Sequence, residues 1–307
     1  MIVDVKQSII ENIKGKVIYN EPMRNHTSFC IGGPADIWVE PVDVDDLKRC
    51  IQISKEKNVP LFIMGAGTNL LVRDEGLRGI VVNMLSSSLR NIYLGDRKIS
   101  VTSSVTLREF INFCSKAGLS GLEFLAGMPG TVGGAVMTNA GARHYEKMGK
   151  WYSVGDFIEE LRVMRYDGEI DVLDKKELNF GYKSLDLKDC VILEAKFRLN
   201  KTSPRDVRNE SQRFLKRKKE TQELSAPSAG CIFKNPPAPE KAAGKLIDEC
   251  NLKGTRVGGA LISRKHANFI INTGNASSKD VMALIEIIKE KVKVKFGIEL
   301  SLEIKIV

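Results

Sequence analysis

Apolar and polar positions along the chain repeat with two different periods, and each period predicts one kind of element. A helical repeat of apolar residues follows Asp43, a residue type that favours helix N-caps, and predicts a helix that ends near Asn58. A second helical repeat starts at Leu107 and predicts a helix that ends at Gly118. The first 30 residues read as a short amphipathic helix followed by an extended segment.

Short apolar runs and alternating runs predict strands between these helices. The run 60–64 ends at Gly65 and is typical of a buried strand that enters a loop. The dipeptide Asp167-Gly168 is a strong hairpin signal between two alternating segments. The predicted strands before residue 200 cover residues 60–64, 79–82, 92–94, 99–101, 161–166, 169–173 and 191–199.

The composition changes near residues 202–204, where a long, highly charged helix is predicted to begin. Beyond it the pattern predicts helices at 241–251 and 278–296 and strands at 260–262, 269–271 and 299–306. Helices and strands mixed in unequal runs indicate an α+β architecture. We therefore predict one domain over residues 1–201, with lobes of about 1–85 and 86–201, and a smaller α+β domain over residues 202–307.

The charge and the cysteines narrow the class of protein. The 307-residue chain has a net charge of +9, which favours anionic partners, and its densest basic run covers residues 213–219. That run fits either a solvated helix face or contacts with the phosphates of a small ligand, whereas a nucleic-acid reader is disfavoured because the run has one aromatic residue and no reader motif around it. Six widely spaced cysteines indicate small, mostly buried residues and neither a disulfide scaffold nor a zinc site.

Other patterns exclude whole classes of site. The N-terminal segment lacks the layout of a signal peptide, and no apolar run reaches membrane-spanning length, so we expect a soluble, cytoplasmic protein without membrane insertion. Gly65-Ala66-Gly67 lacks the third glycine of a Rossmann fingerprint, and no P-loop motif occurs. His26, His144 and His266 are scattered, so neither a metal centre nor a hydrolase triad is indicated.

Two glycine-rich segments carry the positive evidence. Residues 65–71 follow a predicted buried strand, where successive backbone N–H groups can form a nest for an anion. Residues 127–142 are nearly free of bulky side chains and can lie against a flat ring system or a pyrophosphate. Either segment alone is more typical of ordinary tight turns; two of them in one chain favour a cofactor site.

The order of these and other motifs makes the chain similar to a known enzyme family, the UDP-N-acetylenolpyruvoylglucosamine reductases (MurB). The resemblance runs from about residue 20 to the end of the chain. Its motifs are Asn25-His26-Thr27, 65–74 (GAGTNLLVRD), 127–135 (GMPGTVGGA), 229–236 (AGCIFKNP), 243–248 (AGKLID), 252–260 (LKGTRVGGA) and 296–304 (FGIELSLEI). The chain resembles the shorter type, which lacks an extra substrate-covering loop.

The resemblance implies a two-lobed FAD-binding domain of the vanillyl-alcohol-oxidase (PCMH) type and a separate substrate domain. It also implies non-covalent FAD, NADPH as reductant, and reduction of the enolpyruvyl ether of a UDP-sugar to UDP-N-acetylmuramate for peptidoglycan. No nucleic acid, metal or obligate protein partner is expected. The implied cofactor-binding residues are Gly65, Ala66, Gly67, Thr68, Asn69, Leu70, Gly127, Pro129, Gly130, Thr131, Gly133, Gly134, Asn139, Ala140 and Ala142.

The same resemblance assigns Cys231 as proton donor and Glu303 as the carboxylate that acts with it. A thiol has a pKa near 8.5 and is a much stronger acid than the serine found in many relatives. Alternation in 300–306 places Glu303 on the opposite strand face from the leucines and isoleucines. The alternatives are that Cys231 is only a buried apolar residue and that Glu303 is a solvated carboxylate on a strand.

Three further residues follow from the resemblance. Lys183 stands where the family carries arginine, so the positive charge is kept but the two-pronged grip on a carboxylate is lost. We expect Lys183 to bind the carboxylate less precisely; a nearby basic residue in its place and a changed activity are the alternatives. Lys219 lies twelve residues before Cys231, the offset of a family lysine that contacts the substrate diphosphate, although a solvated helix face is the alternative. Asn235 matches a polar substrate contact.

Two other functions stay open at this point. The glycine-rich segments alone also fit another FAD-dependent oxidoreductase of the same fold, against which the motifs after residue 229 argue. A UDP-sugar-binding protein without catalysis is the second alternative, and the lysine at position 183 favours it slightly.

Overall fold

The computed structural model describes residues 2–95, 98–144, 150–237 and 242–307, with side-chain burial withheld for residues 2–4 and 87. Its α-helices are α1 (Ile2–Asn12), α2 (Val44–Glu56), α3 (Leu107–Ala117), α4 (Val132–Met137), α5 (Pro204–Thr221), α6 (Ala243–Glu249) and α7 (Ser278–Phe296). Its strands are β1 (Lys16–Pro22), β2 (Pro34–Glu40), β3 (Leu61–Met64), β4 (Leu70–Leu71), β5 (Leu77–Asn83), β6 (Ile92–Leu94), β7 (Lys98–Thr102), β8 (Leu119–Ser120), β9 (Gly141–Arg143), β10 (Trp151–Ser153), β11 (Ile158–Arg165), β12 (Ile170–Asp174), β13 (Asn179–Gly181), β14 (Ser184–Asp186), β15 (Cys190–Arg198), β16 (Asn200–Lys201), β17 (Arg256–Val257), β18 (Ala260–Ile262), β19 (Ile270–Asn272) and β20 (Lys305–Ile306).

The chain forms two compact units. The first comprises Met1–Tyr19, Ile37–Ala66 and Arg78–Lys218, and the second comprises Asn20–Asp36, Gly67–Leu77 and Lys219–Val307. The division therefore falls inside the first glycine-rich segment, between Ala66 and Gly67, and inside α5, after Lys218. The domain limits expected from the sequence remain a prediction.

The first unit is built around two sheets and contains two hydrophobic clusters. In the described residues, one sheet has the order β1-β2-β5-β3, with β3 and β5 parallel, and α2 contributes Leu47, Cys50 and Ile51 to its core. The other has the order β12-β11-β15-β7-β6 and is antiparallel throughout. Phe110 of α3 and Phe197 of β15 meet in its core, with ring centroids 5.0 Å apart.

The second unit has a small sheet of order β17-β18-β19 and a parallel pair of β4 with β20. Its core collects the apolar face of α7, including Val281, Leu284 and Ile288, against α6 and β18. Ser277 and Asp280 form a capping box at the start of α7, and Gly297 ends the helix with φ +68°. Sequence signals thus fix both ends of the longest helix of this unit.

Most predicted elements are confirmed. Asp43 caps α2, Gly118 ends α3, and α7 has the predicted limits. The strands predicted before residue 200 and at 260–262 and 269–271 are present within one to three residues at their ends. Residues 96–97, between the predicted strands 92–94 and 99–101, and the predicted helix start at Lys241 lie outside the described residues.

Two predictions need correction, and one helix was not predicted. The continuous strand predicted over 299–306 is wrong, because the segment changes partners: Glu303 N–H donates to Ile232 O, whereas Lys305 N–H donates to Asn69 O. Only Lys305–Ile306 then forms a regular strand. The short helix α4 inside the second glycine-rich segment was not predicted. Of the six cysteines, all of them in described residues and all free, only Cys50 and Cys114 are buried.

Candidate active site

The second glycine-rich segment is held by its backbone against the loop between β7 and α3. Leu107 N–H donates to Gly130 O, Val132 N–H donates to Val105 O, and Gly133 N–H donates to Ser103 O, each at 2.9 Å. The glycine at 133 is required by this packing, since a Cβ atom there would lie 2.7 Å from Ser103 Cβ. The segment is therefore a fixed surface of the first unit.

Thr131 organises the end of this segment and its contact with Gly65. Thr131 Oγ1 accepts a hydrogen bond of 3.2 Å from Gly134 N–H and so caps α4. A Cβ atom on Gly65 would lie 2.5 Å from the same oxygen. Asn83 Nδ2 donates to Gly65 O at 3.1 Å. Within the first unit, residues of both glycine-rich segments are thus in contact, with no room for a side chain at Gly65.

The surface near Gly134 fits a flat ligand. Gly134 is exposed, and a Cβ atom there would meet only Thr131 Oγ1, at 3.4 Å. Space is therefore not the reason for glycine at this position, in contrast to Gly65 and Gly133. Gly127 and Gly130 have φ values of +74° and +128°, which favour glycine, and Gly127 and Pro129 are exposed. An exposed backbone without side chains is what close approach of a ring system or pyrophosphate requires, so the segment fits FAD.

Asn139 has a structural task in addition to its predicted cofactor contact. Its side chain is buried; Oδ1 accepts from Gly155 N–H at 2.9 Å and Nδ2 donates to Gly181 O at 2.8 Å. Ala140 O accepts from Val154 N–H, and Ala142 pairs with Tyr152 between β9 and β10. The carboxamide of Asn139 thus joins the second glycine-rich segment to Gly155 and Gly181.

Lys183 lies in the two-residue connection between β13 and β14, in the first unit. Its backbone has φ +54°, in the left-handed region. Its side chain is half-buried, with Nζ 5.6 Å from the centroid of the Trp151 ring, and the Trp151 and Tyr182 rings are 5.3 Å apart. An aromatic pair therefore supports the lysine head group.

A second lysine of the first unit was missed. Lys218 is only 7% exposed, and its Nζ donates to Phe124 O at 3.0 Å and to Ala126 O at 2.8 Å, directly before Gly127. Burial, and secondarily the charge of Lys183, lowers the pKa of Lys218 to about 7. The predicted Lys219 is exposed, and its carbonyl accepts from Lys265 Nζ.

The helical period of α5 could have distinguished the two lysines. Its buried residues are Val207, Ser211, Phe214 and Lys218, spaced by four, three and four positions. This spacing defines the inward face of a helix. Position 218 continues that face, whereas position 219 turns away from it.

In the second unit, the rest of the first glycine-rich segment runs beside the end of the chain. Gly67 has φ +63° and its carbonyl accepts from Ser28 N–H. Leu70 pairs with Lys305 in the parallel β4–β20 ladder. Asn69 Nδ2 donates to Glu303 O at 3.0 Å. The predicted cofactor segment and the predicted carboxylate residue are thus hydrogen-bonded neighbours.

Cys231 and Glu303 are brought together by a short backbone ladder. Phe233 forms a bridge with Leu302, and Glu303 N–H donates to Ile232 O at 2.8 Å. On its other side the segment is bridged from Cys231 to Phe269. Cys231 and Glu303 are both half-buried. The fold therefore places Cys231 and Glu303 on adjacent segments of one unit.

Asn235 is exposed, and its Oδ1 accepts from Ala243 N–H at 3.0 Å at the start of α6. The side-chain carbonyl of Asn235 thus has a hydrogen-bond partner within the same unit. In the described part of the chain, no group of three or more His, Cys, Asp or Glu side chains is arranged to hold a metal ion. None of the described helices combines the length and the apolar character needed to cross a membrane.

Comparison with known proteins gives the class first. Residues 35–174 match the model of an FAD binding domain, and residues 222–307 match the model of the UDP-N-acetylenolpyruvoylglucosamine reductase C-terminal domain. The chain is thus an α+β flavoprotein with an FAD-binding domain, as expected from its glycine-rich segments.

Whole-chain relatives then give the family. A UDP-N-acetylenolpyruvoylglucosamine reductase of Caldanaerobacter subterraneus is 42% identical over 309 residues, covering 100% of this chain and 98% of the relative. One of Clostridium novyi is 43% identical and covers 97% and 92%. The crystal structure of the Thermus caldophilus enzyme (MurB) matches with a TM-score of 0.77 at 31% identity, covering 96% and 99%. The chain belongs to the UDP-N-acetylenolpyruvoylglucosamine reductase family.

Proposed function

We propose that this chain reduces the enolpyruvyl group of UDP-N-acetylglucosamine enolpyruvate to the lactyl group of UDP-N-acetylmuramate, in peptidoglycan biosynthesis. NADPH is oxidised to NADP⁺, and one hydride and one proton add across the carbon–carbon double bond. The same proposal includes a cytoplasmic location and partners that are small molecules only. The observation that carries it is the pairing of the Cys231 segment with the Glu303 segment inside the part of the chain that matches the family's C-terminal domain.

The surface of residues 127–134 and the segment 65–70 would hold FAD. When bound and reduced by NADPH, FAD would supply the hydride that reaches the substrate. The chain's own task is to bind and orient the substrate and to manage charge and protons. The exposed Gly134 backbone supports this assignment.

Hydride addition leaves negative charge beside the substrate carboxylate, and the adjacent carbon must take up a proton. We assign Cys231 as the donor of that proton and Glu303 as its partner in stabilising the enolic charge. Lys183 would attract the carboxylate as a point charge, supported by Trp151. Lys219 and Asn235 are assigned to substrate binding on the family's pattern, and the exposure of both leaves them accessible.

The test separates the two halves of the reaction. The purified protein should show a flavin absorption spectrum that NADPH bleaches without oxygen and that UDP-N-acetylglucosamine enolpyruvate restores. A protein that takes up no FAD would overturn the proposal. A flavin that oxygen reoxidises but the sugar nucleotide does not would favour another oxidoreductase of the same fold.

Cys231 is tested in the second half-reaction. Cys231→Ala should slow reoxidation by the sugar nucleotide about 100-fold or more, since general acids contribute about 10²–10⁴-fold. Cys231→Ser should retain much of the rate. Cys30→Ala is the matched control, because Cys30 is an exposed cysteine of the same unit and should leave both half-reactions unchanged. An unimpaired Cys231→Ala enzyme would rule out the assigned proton donor.

A further inference from the structure

The side chain of Asn268 forms hydrogen bonds with both the backbone N–H and the backbone carbonyl of Phe233. The Asn268 side chain is 3% exposed; Oδ1 accepts from Phe233 N–H at 3.0 Å, and Nδ2 donates to Phe233 O at 2.8 Å. A carboxamide presents an acceptor and a donor side by side, as an extended backbone does. The Asn268 side chain therefore replaces one residue of a neighbouring strand at Phe233.

The backbone of Asn268 is fixed as well. Its carbonyl accepts from Ile232 N–H at 2.9 Å, and the next residue, Phe269, bridges to Cys231. Its own N–H donates to His266 Nδ1 at 3.2 Å. Burial, and to a lesser extent the charge of Lys253, lowers the pKa of His266, which favours the neutral ring. Hydrogen bonds thus hold both the side chain and the backbone of Asn268.

Because of the position of Phe233, its two hydrogen bonds with the Asn268 side chain matter for the reaction. Phe233 is 1% exposed, so water cannot replace either hydrogen bond. It lies two residues after Cys231 and two before Asn235, and it also bridges to Leu302, next to Glu303. A shift of the Phe233 backbone would therefore move the donor segment relative to the Glu303 segment.

We propose that Asn268 is a positioning residue for the reduction: its carboxamide fixes the Phe233 backbone and thereby sets the thiol of Cys231 for proton transfer. This inference rests on the proposed function. A misplacement of about 1 Å can cost about 100-fold in rate. Reduction of the flavin by NADPH takes no proton from Cys231, so the loss should fall on the second half-reaction.

Asn268→Ala should leave the rate of flavin bleaching by NADPH unchanged and slow reoxidation by UDP-N-acetylglucosamine enolpyruvate about 100-fold. Both rates are measured by stopped flow without oxygen, and FAD content and Tm are recorded for each variant. Asn272→Ala is the matched control. Asn272 is 4% exposed in the same unit, but its carboxamide bonds Phe29 O, Gly274 N–H and Ala276 N–H.

Asn268→Asp provides a second, independent measurement. A neutral carboxyl group offers one acceptor and one O–H donor and can replace the amide, whereas a carboxylate offers no donor to Phe233 O. The reoxidation rate of this variant, divided by that of the wild type, should therefore rise as pH falls through the carboxyl pKa. The titratable neighbours Cys231, His266 and Glu303 are common to both proteins, so the ratio removes their contribution.

Equal slowing of both half-reactions in Asn268→Ala would overturn the positioning role, as would an equal loss in Asn272→Ala or a pH-independent ratio for Asn268→Asp. A wild-type protein whose reduced flavin the sugar nucleotide does not reoxidise would overturn the proposed function and this role with it. A wild type that reacts, with Asn268→Ala equally fast, would overturn the positioning role alone.

Discussion

The side-chain amide of Asn69 donates a hydrogen bond of 3.0 Å to the backbone carbonyl of Glu303, 234 positions further along the chain. The backbone continues the contact, since Lys305 N–H donates to Asn69 O at 3.0 Å. The segment expected to bind FAD is thus joined directly to the segment that carries the proposed carboxylate. A residue at this junction can affect the reaction without touching substrate.

Asn69→Ala should lower turnover at saturating FAD, because the Glu303 backbone loses a hydrogen bond that fixes it. The same change should reduce the free energy of unfolding by about 1 kcal/mol. Turnover is measured with FAD titrated to saturation, and unfolding by urea. Asn275→Ala is the control, since Asn275 is exposed in the same unit. Full turnover of Asn69→Ala once FAD is saturating would limit Asn69 to cofactor binding.

Lys183 offers a test of how much the missing arginine matters. Lys183→Ala should lower kcat/KM about 30-fold, corresponding to about 2 kcal/mol for a hydrogen bond to a charged group. Lys183→Arg should equal or exceed the wild type, because a guanidinium can bind a carboxylate with two parallel bonds. Steady-state kinetics with the sugar nucleotide varied check both.

The backbone at Lys183 requires a separate control. Its φ of +54° is unfavourable for most side chains, and asparagine tolerates it better than alanine does. Lys183→Asn should therefore keep wild-type stability and lose as much activity as Lys183→Ala. Equal rates for the lysine, arginine, alanine and asparagine proteins would exclude a role for the side chain at this position.

Sequence patterns predicted the elements whose signals are local. Asp43 and Gly118 mark their helix ends because caps and positive φ values depend on a few neighbouring residues. The segment 299–306 alternates as a strand would, but alternation does not reveal that its hydrogen-bond partner changes after Glu303. The glycine content of 127–134 concealed α4, whose start depends on the Thr131 cap.

The residues of the proposed site also differ in whether a local sequence pattern can identify them. Cys231 and Glu303 were assigned by motif, and their adjacency depends on a ladder between segments about 70 residues apart, which no local pattern encodes. The assignment of Lys219 remains a proposal; Lys218 was not singled out, although the period of α5 places position 218 on the buried face. Asn268 has no sequence signal of its own, because its role arises only when Phe233 is beside it.

Lys218 predicts a pH dependence of stability. Its pKa is about 7 in the folded protein and near 10.5 when exposed, so between these values the unfolded state binds more protons. Stability should therefore rise as pH increases from 7 towards 10.5 and be lost as pH falls to 7. The slope from this group is at most about 1.4 kcal/mol per pH unit.

Lys218→Met removes the titrating group while keeping a long side chain. The free energy of unfolding, measured in urea at pH 6.5, 7.5 and 8.5, should rise with pH more steeply in the wild type than in this variant. Lys219→Met is the control, because Lys219 is exposed, and it should keep the wild-type slope. Identical slopes in the wild type and Lys218→Met would mean that Lys218 keeps an ordinary pKa.

The contact between Gly65 and Thr131 predicts a coupled pair. Gly65→Ala should lower both Tm and FAD affinity, since its Cβ would lie 2.5 Å from Thr131 Oγ1 and displace the cap of α4. Thr131→Ala alone should cost about 1 kcal/mol as the loss of a cap. The double variant should be more stable than the sum of the two losses predicts, because alanine at 131 removes the atoms that the new Cβ would strike.

Gly134→Ala separates stability from cofactor binding at the same place. Its Cβ would meet only Thr131 Oγ1, at 3.4 Å, and alanine is favoured over glycine inside a helix by about 0.5–1 kcal/mol. The protein should therefore keep its Tm, whereas a methyl group on the proposed flavin surface should weaken FAD binding, measured by fluorescence titration. Unchanged FAD affinity in Gly134→Ala would show that the flavin does not bind at this surface. For the preceding pair, strictly additive losses in the Gly65→Ala and Thr131→Ala double variant would show that the two residues do not interact.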